Sequence, residues 1–208
     1  MSNFNIFPLW ATPIYVSSLE CQEEVKTFLK ELLYERISED NGWWSKEKKV
    51  LNVPQFSELK DKILQHVNTY TNQCIEIDTS NIEFYFTNSW VMKHKMGDWS
   101  QEHIHVNSIF SGIYYFEVDD VSGMLGLKKH LSMLNLFTPT IDFDVKNSNL
   151  YNCKVWTIKP IKDMLIIFPS HVRHHVTHSH SENLRYSLAF NIFVRGNISK
   201  EISELNLK

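Results

Sequence analysis

The sequence is poor in cysteine, in net positive charge and in long apolar runs, and each shortage excludes a class of protein. Its three cysteines, Cys21, Cys74 and Cys153, are odd in number, widely spaced and without a CxxC pair, which argues against a disulfide framework or a thiolate zinc site. The formal net charge of −3 provides no basic field to hold a nucleic-acid backbone. No apolar run approaches the roughly 20 residues that span a bilayer. We therefore expect a protein that binds neither nucleic acid nor a membrane.

The first residues also lack the features of an export signal. The segment Met1–Asn5 has neither the basic block nor the apolar block of a signal peptide. We therefore expect a cytoplasmic protein in a reducing compartment. No pattern in the sequence indicates an oligomeric state, which stays open at this point.

The sequence does contain the material for one folded domain. Hydrophobic residues make up 43 % of the 208 residues and charged residues 22 %, as in globular proteins with a substantial core. The length suits a single domain over 1–208, and no internal repeat, low-complexity tract or Gly/Ser linker divides it. Ten histidines are present and eight of them lie between His103 and His180, so we expect the chemistry there.

The periodicity of the apolar residues changes near residue 80. Before that point, apolar residues recur at helical spacing over 20–37 and 57–77, which predicts two helices that pack against a sheet. We interpret 1–80 as a mostly helical support region. Beyond it, short apolar or alternating runs are separated by turn residues, which indicates a β-sandwich or barrel rather than a parallel α/β sheet.

The second part of the chain, 81–196, is predicted to form the β-rich catalytic core. Gly123–Gly126 is predicted to be a bend or turn between two strands. The predicted strands are Ile82–Phe86, Trp90–His94, Phe110–Val118, Ser132–Phe137, Cys153–Ile158, Met164–Phe168 and Arg185–Val194.

A pair of histidines, His103 and His105, is the first candidate for a metal site. In a strand, residues i and i+2 point to the same face, so the two imidazoles can face one ion. His174 is a candidate third ligand from a distant strand, because it follows an apolar run and a Pro-Ser turn. The remaining histidines of this stretch, His171, His175, His178 and His180, are interpreted as loop or outward-facing residues.

An arginine beyond these histidines is a candidate anion-binding group. Arg185 begins an apolar strand, and its planar guanidinium is suited to holding a carboxylate. Ser187 lies on the same face of that strand. The alternative interpretation, an ordinary arginine on an edge strand, stays open on these residues alone.

Together these elements resemble a family of 2-oxoglutarate/Fe(II)-dependent oxygenases known from marine bacteria and phages. The resemblance implies a double-stranded β-helix (jelly-roll, cupin-like) core and a dioxygenase that uses Fe(II), O2 and 2-oxoglutarate as cosubstrate. It also implies hydroxylation of a small-molecule or peptide substrate, with release of succinate and CO2. The segments that carry it are His103–Tyr115, Phe168–Ser170, His174, Arg185–Ser187 and Phe190–Asn191, and Ile6–Pro8 and Trp90 also fit.

The same resemblance assigns roles to individual residues. It implies that His103, His105 and His174 hold the metal and act as the catalytic centre. It implies that Arg185 and Ser187 bind the far carboxylate of 2-oxoglutarate, with a hydrogen bond from Tyr114 or Tyr115. Only one of these two tyrosines can face inward, because side chains alternate along a strand.

Position 105 departs from the usual non-haem iron site. That site has two histidines and one carboxylate, whereas the sequence has His105 where most of the superfamily has an acid. Either three histidines hold the metal, or Glu102 or Asp98 supplies an oxygen ligand. We favour the three histidines, because Glu102 is adjacent to His103 and would face the opposite side of a regular strand.

Rival interpretations keep the fold and change the function. A cupin with another activity would explain Gly97 before the histidine pair and Pro169 before His174, but it has no use for Arg185. A non-catalytic jelly-roll module would bind a sugar or a protein partner. A three-histidine zinc hydrolase would need a general base, and no obvious one stands beside the ligands.

Overall fold

The computed structural model describes residues 11–129 and 144–208, and β-strands make up most of this part. In chain order the strands are β1 (Tyr15–Ser18), β2 (Tyr34–Arg36), β3 (Trp43–Ser45), β4 (Ile82–His94), β5 (Ser100–His103), β6 (Phe110–Glu117), β7 (Leu125–Lys128), β8 (Val155–Ile158), β9 (Met164–Pro169), β10 (Arg173–Val176), β11 (Arg185–Ile198) and β12 (Leu205–Leu207). The helices are α1 (Glu23–Glu31) and α2 (Ser57–Thr69), with a π-helical turn after α2 (Tyr70–Cys74) and short 3-10 turns (Val50–Asn52, Pro54–Phe56 and Glu201–Ser203).

The strands form two sheets with antiparallel pairing. The larger sheet has the order β1-β9-β6-β11-β4-β3-β2, with β12 paired to β11, and the smaller sheet has the order β5-β10-β7-β8. This mainly β architecture with N-terminal helices is the double-stranded β-helix, or jelly roll, that the sequence predicted. None of the described helices is long and apolar enough to cross a membrane.

Side chains of the larger sheet alternate between two packed layers. On one face, Tyr114 and Phe190 pack with Leu29 of α1 and Ile63 of α2 in a helix-side core. On the opposite face a second set of buried residues forms an inter-sheet core, in which β7 of the smaller sheet meets the larger one. This inter-sheet core consists of Ile113, Tyr115, Leu125, Leu127, Ile166 and Phe168.

β4 is a single strand of 13 residues where two separate strands were predicted. The polar residues in the middle of β4 stay in the sheet because β11 continues to pair with β4 on both sides of them. Asn191 of β11 pairs with Asn88, and Ile192 pairs with Phe86, so Thr87 is the extra residue of a β-bulge.

Other elements differ from their predicted bounds for local reasons. The first helix ends at Glu31, before the predicted residue 37, because Leu32 is extended and leads into β2. The predicted turn at Gly123–Gly126 is wrong in its second half, where β7 begins. Gly126 suits a strand there, since a Cβ atom on it would lie 2.2 Å from the ring of His175 on the neighbouring β10.

Two predicted segments, the strand Ser132–Phe137 and Ile6–Pro8, lie outside the described residues. The division of the chain into a support region over 1–80 and a core over 81–196 stays a prediction. Strands β1, β2 and β3 precede residue 81, and all three belong to the larger sheet.

We expect the packing of α2 to contribute strongly to stability. Ile63 is fully buried in the helix-side core, so Ile63→Ala should lower the free energy of unfolding by about 2–5 kcal/mol. Chemical denaturation measures the difference. Gln65→Ala, on the exposed face of the same helix, is the control and should change stability by less than about 0.5 kcal/mol. Equal effects of the two substitutions would contradict the assignment of α2 to the core.

Candidate functional site

Three histidines converge at one end of the space between the sheets. His103 ends β5, His105 lies two residues beyond it, and His174 lies in β10 directly opposite His103. One ring nitrogen from each lies within 4.8 Å of the other two. The Nε2 atoms of His103 and His105 are 3.2 Å apart, close to the roughly 3 Å expected for adjacent ligands that each lie about 2.0–2.1 Å from one ion.

Backbone carbonyl groups fix the tautomers of two of these rings. Nδ1 of His103 donates to the carbonyl oxygen of Gln101 at 2.8 Å, and Nδ1 of His174 donates to that of Val172 at 2.9 Å. A carbonyl oxygen only accepts, so each Nδ1 carries the proton. In the neutral form of each ring the lone pair is then on Nε2, which is the nitrogen available to bind a metal.

His105 is oriented by a buried polar network instead. Its Nδ1 donates to Oδ1 of Asn191 and lies 2.8 Å from Oγ of Ser111. Ser111 in turn donates to the same Asn191 oxygen and contacts Ser170 Oγ, both at 2.8 Å. Since Asn191 and both serines are buried, the network holds the ring of His105 with its Nε2 toward His103.

Burial keeps two of the three rings in the neutral, metal-binding form. It lowers the pKa of His105 to about 4 and the pKa of His174 to about 3. Neither ring therefore carries a proton on Nε2 near neutral pH, and metal binding does not have to displace one there.

The two acidic alternatives are engaged elsewhere. Glu102 pairs with Lys128 at 2.8 Å and with Arg173 at 3.5 Å. Asp98 is buried and pairs with Arg36 at 2.8 Å. Among the described residues, a group of three potential ligands forms only from the histidines, so the structure offers an all-nitrogen site.

The remaining histidines of the cluster lie apart from this group. His171, His178 and His180 are exposed, and His178 stacks on Trp99 with ring centroids 5.6 Å apart. His175 follows His174 on β10, and its ring packs over Gly126. This placement agrees with the alternation of side chains along a strand.

A buried guanidinium lies on the face of β11 that carries Asn191, at the start of the strand. Arg185 is 1 % exposed, and its Nη1 donates to Nδ1 of His94 at 2.6 Å. Its carbon Cζ lies 5.1 Å from the ring centroid of Tyr115. Ser187 is also buried and shares this face, as does Asn191 beside the histidines.

Two polar atoms at this end are buried without a hydrogen-bond partner among the residues that the structure describes: Nε of Arg185 and the hydroxyl of Tyr115. Leaving a buried polar group unpaired costs about 1–3 kcal/mol, and more for a charged group. Burial raises the pKa of the Tyr115 phenol, which therefore remains a donor. The arrangement is suited to an anion that accepts from both groups.

Tyr114 does not belong to this pocket, which corrects its inclusion among the candidate residues. Its hydroxyl donates to Oδ1 of Asp163 at 2.7 Å, and its ring lies in the helix-side core. Because adjacent residues on β6 face opposite sides of the sheet, Tyr115 is the tyrosine beside Arg185.

Three supporting residues, His94, Ser111 and Ser170, were not predicted as part of the site. Their roles arise from contacts across strands, and a single sequence does not reveal which residues face each other across a sheet. His94 ends a predicted strand, but nothing in the sequence pairs it with Arg185.

Comparison with protein families gives one match. A family model described as "Putative 2OG-Fe(II) oxygenase" matches residues 88–191, half of the chain. That range contains the three histidines, Arg185 and Asn191. No curated protein matches the sequence significantly.

Solved structures with a similar fold share little sequence with this chain. HygX from Streptomyces hygroscopicus, crystallised with nickel and 2-oxoglutarate, has a TM-score of 0.59 at 10 % identity, over 87 % of this chain and 82 % of that one. A prolyl hydroxylase from Trichoplax adhaerens, in complex with a peptide fragment, has a TM-score of 0.56 at 15 % identity, over 86 % and 83 %. The epimerase SnoN from nogalamycin biosynthesis has a TM-score of 0.57 at 9 % identity, over 84 % and 73 %. At such identities these structures establish the shared fold.

We expect Asn191 to support metal binding through His105. Asn191→Ala removes the acceptor that fixes the ring, and loss of such a support typically lowers metal affinity about 10- to 100-fold. Asn191→Asp keeps an acceptor oxygen and should retain most of the affinity. Competitive titration of Co(II) or Zn(II) against a chelator measures both.

The control for this experiment is His180→Ala, which removes an exposed histidine of the same cluster. Its metal affinity should equal that of the unsubstituted protein. An unchanged affinity of Asn191→Ala, or a large loss in His180→Ala, would contradict this view of the site.

Proposed function

Because the chain belongs to the 2-oxoglutarate/Fe(II) oxygenase family, we propose that it is a dioxygenase that hydroxylates its substrate. The observation that carries this proposal is the combination of two features in the space between the two sheets. One is a convergent group of three histidines. The other is Arg185, a buried cation without an acidic partner among the described residues.

The proposed metal ligands are Nε2 of His103, His105 and His174. Neutral imidazoles suit Fe(II) among other divalent metals, and one ring nitrogen of each histidine lies within 4.8 Å of the other two. Bound Fe(II) and 2-oxoglutarate supply the oxidising power, with consumption of O2 and release of succinate and CO2. The protein contributes orientation, exclusion of water and the charge at the far end of the cosubstrate.

The proposed site for the far carboxylate of 2-oxoglutarate is formed by Arg185 and Tyr115, with Ser187 alongside. A carboxylate there would accept from Nε of Arg185 and from the Tyr115 hydroxyl, the two atoms that lack partners within the described structure. The surrounding inter-sheet core is apolar, so the charge-assisted hydrogen bonds form away from water and are correspondingly strong.

The proposed substrate is a small molecule or a peptide. HygX has been crystallised with hygromycin B as well as with 2-oxoglutarate, and the prolyl hydroxylase has been crystallised with a peptide. SnoN is an epimerase, so the fold supports more than one outcome of the same oxidising chemistry. We propose hydroxylation because it needs no group beyond the proposed metal, cosubstrate and O2. A cytoplasmic location also stays a prediction.

The test is an anaerobic titration of the protein with Fe(II) and then with 2-oxoglutarate. We expect the visible charge-transfer band of an iron-bound 2-oxoglutarate, and its growth gives the dissociation constant. A protein that binds iron but shows no band would instead be a cupin with another activity. A protein that binds neither would be a non-catalytic module.

Arg185→Ala should weaken 2-oxoglutarate binding while iron binding survives. A hydrogen bond to a charged group is worth about 1.5–3 kcal/mol, or roughly ten- to a hundredfold in affinity. The control is Arg195→Ala, which removes an exposed arginine of the same strand that pairs with Glu83. Equal dissociation constants for Arg185→Ala and the unsubstituted protein would remove the proposed role of Arg185.

A further inference from the structure

We propose that His94 is a positioning residue for Arg185, which holds the guanidinium in place without neutralising its charge. This inference rests on the proposed function, because it concerns the same carboxylate pocket. His94 orients the guanidinium through one hydrogen bond and leaves its positive charge available to the ligand.

The two residues are direct partners across two strands. Arg185 at the start of β11 lies opposite His94 at the end of β4. Nη1 of the guanidinium donates to Nδ1 of the imidazole at 2.6 Å, and both side chains are 1 % exposed. The contact therefore lies in the interior, where a hydrogen bond is stronger than in water and fixes geometry.

The imidazole is itself held from two sides. Its Nε2 lies 3.3 Å from Oγ of Ser100 on β5, so the ring spans the larger and the smaller sheet. On the other side the chain passes at Gly42, where a Cβ atom would lie 2.3 Å from Cδ2 of His94. Gly42 has a φ of +74°, a conformation that glycine adopts readily. The ring has little freedom to turn away from Arg185.

The imidazole must be neutral to serve this role. Nδ1 accepts from Arg185, which requires that it carries no proton. Burial and the adjacent charge of Arg185 lower the pKa of His94 to about 3. The single ring proton is then on Nε2, for which Oγ of Ser100 and the backbone carbonyl of Asn41 are the available acceptors.

A neutral acceptor has an effect that an acidic residue could not have. A carboxylate at position 94 would satisfy the guanidinium and also neutralise it, as Asp163 does for the buried Lys26 elsewhere in this chain, at 2.8 Å. A neutral imidazole accepts one hydrogen bond from an N–H of Arg185 and does not neutralise the guanidinium charge. The pocket therefore retains one positive charge and two donors without partners among the described residues, Nε of Arg185 and the hydroxyl of Tyr115.

The experiment compares three substitutions at one position in the full-length, iron-loaded protein. His94→Gln keeps a neutral acceptor, His94→Phe removes the acceptor, and His94→Glu adds a charge to the acceptor. The dissociation constant of 2-oxoglutarate is read anaerobically from the charge-transfer band. The iron dissociation constant and the thermal unfolding of each variant are measured alongside.

We expect the affinity for 2-oxoglutarate to fall in the order Gln, Phe, Glu. His94→Gln should lose less than about tenfold. His94→Glu should lose roughly a hundredfold or more, because the internal ion pair competes with the ligand carboxylate. Iron affinity should stay unchanged in all three, which separates a role in the pocket from a general structural role. In turnover, KM for 2-oxoglutarate should rise more than kcat falls.

The matched control is His66→Gln. His66 is a partly buried imidazole whose Nδ1 is hydrogen-bonded to the hydroxyl of Tyr15 at 2.8 Å, on the helix side of the sheet. It should leave 2-oxoglutarate affinity unchanged. Binding by His94→Glu as tight as in the unsubstituted protein would overturn the inference. If that variant does not fold, equal affinity of His94→Phe and the unsubstituted protein would overturn it.

The outcomes also separate this inference from the function on which it rests. Failure of the unsubstituted protein to bind 2-oxoglutarate would overturn both. Binding by the unsubstituted protein, loss in Arg185→Ala and no loss in any folded His94 variant would overturn the role of His94 alone.

Discussion

The alternation of side chains across β6 and β11 is the constraint on which both the packing and the site depend. Each strand supplies one set of residues to the helices and another to the space between the sheets. Tyr114 and Tyr115 show the consequence most clearly, because the same side chain in adjacent positions serves two different purposes. One is anchored to Asp163 under the helices, and the other lies beside a buried guanidinium. The residues that these two strands contribute to the candidate site therefore face away from the helix-side core.

Two buried cations of this chain illustrate how the proposed carboxylate pocket differs from the packing elsewhere in the fold. Lys26 is buried but forms ion pairs with Asp163 and Glu23, both at 2.8 Å, so its charge is balanced within the fold. Arg185 has a neutral imidazole as its partner. Arg185 has no acidic partner among the described residues, and an unpaired buried charge typically costs several kcal/mol of stability. The carboxylate of the proposed cosubstrate would balance this charge.

Residues of the candidate site could be predicted where residue type and order along the chain were sufficient. Residues whose role depends on how two strands align could not be predicted. His103, His105, His174 and Arg185 were selected from their residue types and their order along the chain, and the structure places all four on the inter-sheet side. Their assignment to iron and 2-oxoglutarate stays a prediction.

The residues that support these four could not be read from one sequence. His94 meets Arg185 only because of how β4 and β11 align. The short strands β5 and β10 were assumed around His103 and His174, but their bounds could not be predicted, because their polar residues lack an apolar pattern. The choice between Tyr114 and Tyr115 needed the same knowledge of register.

The β-bulge at Thr87 makes the length of β4 as important as its composition. Before the bulge, the even-numbered residues Phe84 and Phe86 face the helices. After the bulge the alternation is reversed, so His94, also even-numbered, faces the space between the sheets. Thr87 thereby reverses which alternate side chains of β4 face the helices and which face the smaller sheet. Over evolutionary time this position should accept many side chains but no deletion, because losing one residue would turn either the aromatic half or the histidine half of the strand to the wrong side.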